Sequence, residues 1–119
     1  MNKPTFEEIK TAYQSCGYKP RAEEWVDEDK KTACGMSALA MGRGILTASE
    51  IAQQEIETGG EVTNFMAGKL GLSTNFVSGF VGGFDKTPLD SFHDHNQIEE
   101  FVDGWALGSE VNQGLLCGV

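Results

Sequence analysis

The chain has 119 residues, 39% hydrophobic and 23% charged, and its 9 Lys plus Arg against 18 Asp plus Glu leave a net charge of −9. That length and composition suit one globular domain over residues 1–119, with a core of its own, rather than a disordered segment. The acidic excess argues against a protein that grips phosphate backbones or anionic membrane surfaces, because both tasks need clustered cations.

Helix signals then follow one another along the chain. Thr5-Phe6-Glu7-Glu8 reads as a capping box, in which hydroxyl and carboxylate satisfy orphan N–H groups at a helix start. Phe6, Ile9 and Tyr13 follow on one face, and Gly17 is the natural stop. Residues 18–31 hold Pro20 and a charge-dense run, and are expected to be a connection with Trp25 and Val26 tucked against the body. From Thr32 the residues are small and apolar almost all round, which predicts a central helix near 33–42, ended by Gly42 and Gly44. A second capping box at Thr47–Glu50 opens a helix through about Glu57, broken by Gly59-Gly60. Thr63 to Leu70 forms a short helix closed by Gly71, and Ser73 caps another that runs to about Asp85. A loop follows, and Asn96 with Glu99 is expected to start the last helix, which continues through Trp105 and on towards Asn112. No segment alternates like a strand. The expected fold is all-α, a compact bundle of five or six short helices built on 33–42, 74–85 and 97–108.

The clearest regularity is Phe-x-x-Gly, which starts at Phe65, Phe76, Phe80 and Phe101. On a helix, Phe76, Gly79, Phe80, Gly83 and Phe84 share one stripe, and Phe101, Gly104 and Trp105 share another. A mid-helix Gly costs about 0.8–1 kcal/mol against Ala, so these glycines call for a compensating close approach. The expectation is that the two stripes pair, with rings filling the notches, as the structural core motif.

The stretch AGKLGLSTNFVSGFVGGFD at 67–85 resembles a bacterial helix-turn-helix in the spacing of Ala67, Gly71, Leu72, Ser73 and Val77. That resemblance implies a bihelical turn. DNA reading needs more, and the second helix would offer Thr74, Asn75, Ser78, Gly79 and Gly82, without Arg or Lys for base edges or phosphates. Over Cys34 to Gly108 the chain is also similar to small bacterial or phage-type helical proteins. The similarity lies in CxxSALA from Cys34, in an LGLxxxFxxGFxxGFD motif at 70–85 and in FxDGxxxG at 101–108; it implies a compact helical fold and carries no functional residues.

Three sets of side chains are candidates for chemistry or contact. Asp90, His93 and His95 are ligand types that a zinc or iron site uses, with a solvated loop as the plainer alternative. Cys34, near a helix N-terminus, is a candidate nucleophile if a histidine reaches it, or else a buried structural thiol. Glu23, Glu24, Trp25 and Asp27 form a candidate partner surface, joined by the acidic second half, where residues 61–119 carry two basic and eight acidic side chains. Cys16, Cys34 and Cys117 show no paired spacing, which fits reduced thiols in a cytoplasm. The opening residues MNKPTFEEIK lack the apolar core of a signal peptide, and the apolar run Phe76–Phe84 falls far below the ~18–20 residues that span a bilayer.

These features point to a non-enzymatic acidic protein that binds another protein, or itself, as an adaptor or modulator, with no cofactor. A helix-turn-helix regulator is the alternative, and a thiol or metal-dependent enzyme around Cys34, His93 and His95 the third reading.

Overall fold

The computed structural model describes residues 3–59 and 61–117, and Gly60 and the Cys117 side chain lie outside what it describes. Helices α1 (Phe6–Cys16), α2 (Gly35–Gly42), α3 (Ala48–Thr58), α4 (Thr63–Leu70), α5 (Thr74–Phe84) and α6 (Glu99–Val111) dominate. A single-turn 3-10 segment occupies Leu89–Ser91, and a π-helical turn at Asn112–Cys117 extends α6.

Local chemistry sets several of these boundaries. At α1, Thr5 Oγ1 accepts from the Glu8 N–H (3.2 Å) and Glu8 Oε1 accepts from the Thr5 N–H (3.1 Å). Thr47 and Glu50 make the same reciprocal pair at α3, with bonds of 3.2 and 2.9 Å. Gly17, Gly59 and Gly71 close α1, α3 and α4 in the left-handed conformation, which costs glycine little. Helix α6 departs from expectation. It starts at Glu99 with Ile98 as its cap, and Asn96 belongs instead to the preceding turn, its N–H donating to the Phe92 carbonyl.

The fold is mostly helical but not purely all-α. Residues 18–31, expected as a plain connection, build a small sheet with strands β1 (Lys19–Pro20), β2 (Val26–Asp27) and β3 (Thr32–Ala33) in the order β1-β3-β2. β1 runs parallel to β3 and β2 antiparallel to it. Pro20 lies on an edge strand, where a missing N–H costs no ladder bond. Val26 is buried and Trp25 packs partly against the core.

Helix α2 lies at the centre, with every residue from Gly35 to Ala40 buried. A Cβ on Gly42 would stand 2.7 Å from the Ala12 Cα, so α1 and α2 meet backbone to backbone. The Tyr13 hydroxyl donates to the Ala33 carbonyl (2.8 Å) and ties α1 to β3.

Helices α5 and α6 form the tightest pair. A Cβ on Gly79 would collide with the Phe101 carbonyl, one on Gly83 with that of Trp105, one on Gly104 with that of Phe76, and one on Gly108 with that of Phe80. These four pairings advance together along both helices, so the helices run parallel. Two G-x-x-x-G ridges face each other, an arrangement familiar from closely packed membrane helix pairs. What fills each notch is a backbone carbonyl rather than the ring expected from the sequence. The rings of Phe76, Phe80, Phe84 and Phe101 lie beside the seam, fully buried, and Trp105 donates its indole N–H to the Thr87 carbonyl (2.8 Å). Parallel neighbours require a return path of about 16 Å for an 11-residue helix. Residues 85–98 supply it, and their Phe92 ring covers Gly82. Asn112 then donates to the Phe84 carbonyl (2.7 Å) from a buried position and satisfies the end of α5.

Candidate functional site

The His-x-His loop lies on the surface. Asp90, His93, Asp94 and His95 are all exposed, and the His95 ring rests against Phe101 at 5.3 Å between centroids. Among the described residues no three His, Cys, Asp or Glu side chains are arranged to hold a metal ion.

The second helix of the bihelical stretch is largely covered. Ser73 caps α5 by accepting from the Phe76 N–H (3.1 Å), and the Leu72 N–H returns to the Ala67 carbonyl (3.0 Å). Of the five residues that a recognition helix would present, Thr74 alone is exposed. Asn75 and Ser78 are half-buried, while Gly79 and Gly82 are buried beneath α6 and Phe92.

Residues of the 18–31 segment serve the fold from within. Glu24 Oε1 accepts from the Thr32 hydroxyl (2.7 Å) and lies 3.4 Å from Arg21 Nε. Asp27 Oδ1 accepts from the N–H groups of Asp29 and Lys30, both at 3.0 Å, and shapes the β2–β3 turn. Glu23 is exposed with φ of 70°, and its N–H donates to Asp85 Oδ1 (2.8 Å) across 62 residues of sequence.

That last bond closes one side of a cavity of about 100 Å³, lined by Glu23, Glu24, Trp25, Cys34, Val81, Phe84 and Asp85. Cys34 caps α2 but is only 5% exposed, with its Sγ 3.5 Å from the Ser37 hydroxyl. Burial pushes its thiol up to about 11, against the smaller opposing pull of the Ser37 and Met36 hydrogen bonds. A helix N-terminus alone therefore does not activate this sulfur, and no histidine lines the cavity. Asp85 is half-buried, and desolvation holds its carboxyl above the usual carboxylate range despite the Glu23 N–H. Sequence reasoning had reached Cys34 and the 23–25 segment separately. Phe84 is legible only as a core residue, and Val81 and Asp85 carry no local signal, because the bond that brings this end of α5 to Glu23 spans 62 residues.

Compared with known family models, with curated proteins and with solved structures, the chain matches none. Its chemistry is therefore read from its own surfaces.

The most exposed large apolar side chain among the described residues is Ile56 on α3, at 75%. Ile51 is the one fully buried residue of that helix. Ser49, Glu50, Gln53 and Glu57 are exposed and, with Gln54 and the half-buried Phe65 of α4, line a shallow groove of about 420 Å³. Residues 44–68 include Glu50, Glu55, Glu57 and Glu61 and not one Lys or Arg.

Proposed function

We propose that this protein is a non-enzymatic, acidic protein-binding module, an adaptor or modulator, that receives a basic, partly apolar segment of another protein on the outer face of α3. The observation that carries the reading is Ile56, 75% exposed on a helix that carries Glu50, Glu55 and Glu57 and no Lys or Arg, the nearby Lys69 being held over the Phe65 ring at 5.6 Å. An apolar anchor on a helix whose charges are all negative suits a partner of the opposite charge, which gains in both encounter rate and specificity. The protonated Cys34 thiol, with no histidine beside it, supplies no activated nucleophile for the enzymatic alternative.

The test is anisotropy of a fluorescent lysine-rich amphipathic peptide titrated with the full chain. Binding is expected to weaken as salt rises and to weaken about tenfold in Ile56→Ser, a loss of about 1.4 kcal/mol, with the melting temperature unchanged. Equal binding by the variant would overturn the α3 assignment. A helix-turn-helix regulator would instead give salt-sensitive duplex DNA binding that Lys69→Glu abolishes. Against that reading stand the burial of Gly79 and Gly82 and a second half in which Lys69 and Lys86 are the only Lys or Arg.

A further inference from the structure

We propose that the cavity between the Glu23–Trp25 segment and the end of α5 is a binding site for an alkylammonium group, carried by a small free amine or by a lysine side chain of another protein. This site lies apart from the α3 groove and shares no lining residue with it.

The two halves of the cavity match the two halves of such a ligand. Trp25, Val81, Phe84 and the neutral Cys34 thiol give an apolar interior, and three acidic residues, Glu23, Glu24 and Asp85, complete the lining. Indole rings and carboxylates together are the side chains that recognise organic cations. The space exceeds the ~10–15 Å³ that a single water needs and takes a group of several heavy atoms. Arg21 approaches Glu24 at 3.4 Å, but among the described residues neither Glu23 nor Asp85 has a cation within ion-pair distance. Asp85 thus keeps a half-buried charge whose desolvation is offset by one backbone N–H. An incoming ammonium supplies the missing counter-charge, and its alkyl stem is sheltered by the aromatic interior. Other ligand classes fit less well. An anion would meet a lining with three acidic residues and no Lys or Arg. A neutral apolar group would leave Asp85 desolvated and unpaired.

The test uses the ¹⁵N-labelled full chain, titrated by NMR with tetramethylammonium chloride and separately with N-acetyl-lysine amide. Controls are sodium chloride at matched ionic strength and tert-butyl alcohol, a neutral group of similar shape. The expected result is saturable movement of the Trp25 indole resonance and the Glu23, Cys34 and Asp85 amides with a cation and not with the controls, while the Trp105 indole stays still. Asp85→Asn keeps an oxygen acceptor for the Glu23 N–H and Glu23→Gln leaves the backbone unchanged, so both are expected to fold; each should weaken binding about tenfold. A response to the free cation identifies a small-amine site, and a response to the lysine derivative alone identifies a partner's side chain. No saturable shift with either cation, an equal response to tert-butyl alcohol, or unchanged affinity in both variants would overturn the proposal.

Discussion

Cys34 illustrates how burial outweighs position. As the N-cap of α2 it stands where helix N–H groups favour a thiolate, and two of them do lower its pKa. Desolvation dominates and pushes the thiol up to about 11. Iodoacetamide labelling followed by peptide mass spectrometry is expected to modify the half-buried Cys16 well before Cys34, with the Cys34 rate still climbing as pH approaches 11. Comparable rates at neutral pH would contradict the burial argument. Asp85 and Glu55 obey the same physics with the opposite consequence at working pH. Desolvation raises both carboxyls above their ordinary values, so the folded chain binds these protons more readily than the unfolded one. Their stabilising contribution is complete below the unfolded pKa and lost as pH rises through the folded pKa. The double variant Asp85→Asn, Glu55→Gln should therefore be at least as stable as the parent at pH 7. Its advantage should shrink as pH falls toward the carboxylate range, as followed by thermal melts. A double variant that melts lower at pH 7 and draws level in acid would reverse the sign.

At the scale of elements, the α5–α6 seam makes the sharpest demands on sequence. Gly83 and Gly104 face carbonyls of the opposite helix, and even one methyl must push two backbones apart. Gly83→Ala or Gly104→Ala is expected to cost about 3 kcal/mol in denaturant unfolding. Gly68, which ends the Phe65 copy of the same motif, has nothing within 4 Å of a built Cβ. Gly68→Ala should gain about 0.8–1 kcal/mol, because only helix propensity changes. Equal effects at Gly68 and Gly83 would contradict this division. The comparison also explains what was legible in the sequence. The repeat announces a stripe at helical spacing, but it does not distinguish a notch against a neighbouring backbone from one open to solvent. The capping boxes at Thr5 and Thr47 were readable because both partners lie within four residues. The strands were not, since two residues cannot display an alternation and the β1–β3 pairing joins residues 13 apart.

For the whole molecule, the −9 charge is distributed unevenly along the chain. From Gly44 to Gly68 there is no Lys or Arg, and beyond Leu70 there is one, Lys86. Composition shows that bias and argues against phosphate partners, while the charged segment with Trp25 suggests a contact surface at Glu23, Glu24, Trp25 and Asp27; of these, Glu24 and Asp27 also bond within the segment. The α3 face is not legible in the sequence, because the apolar character of Ile56 suits burial equally well, yet the side chain lies outside the core. The cavity at Cys34 was illegible for a related reason. Its rim joins Glu23 to Asp85 across 62 residues, and no local pattern records that pairing. The most direct measurement for the functional account is the NMR footprint of a lysine-rich amphipathic peptide on the labelled full chain. The account predicts shifts concentrated at Ser49, Gln53, Ile56, Glu57 and Phe65, fading as salt is raised. A footprint centred instead on Thr74, Asn75 and Ser78, or no saturable footprint at low salt, would contradict it.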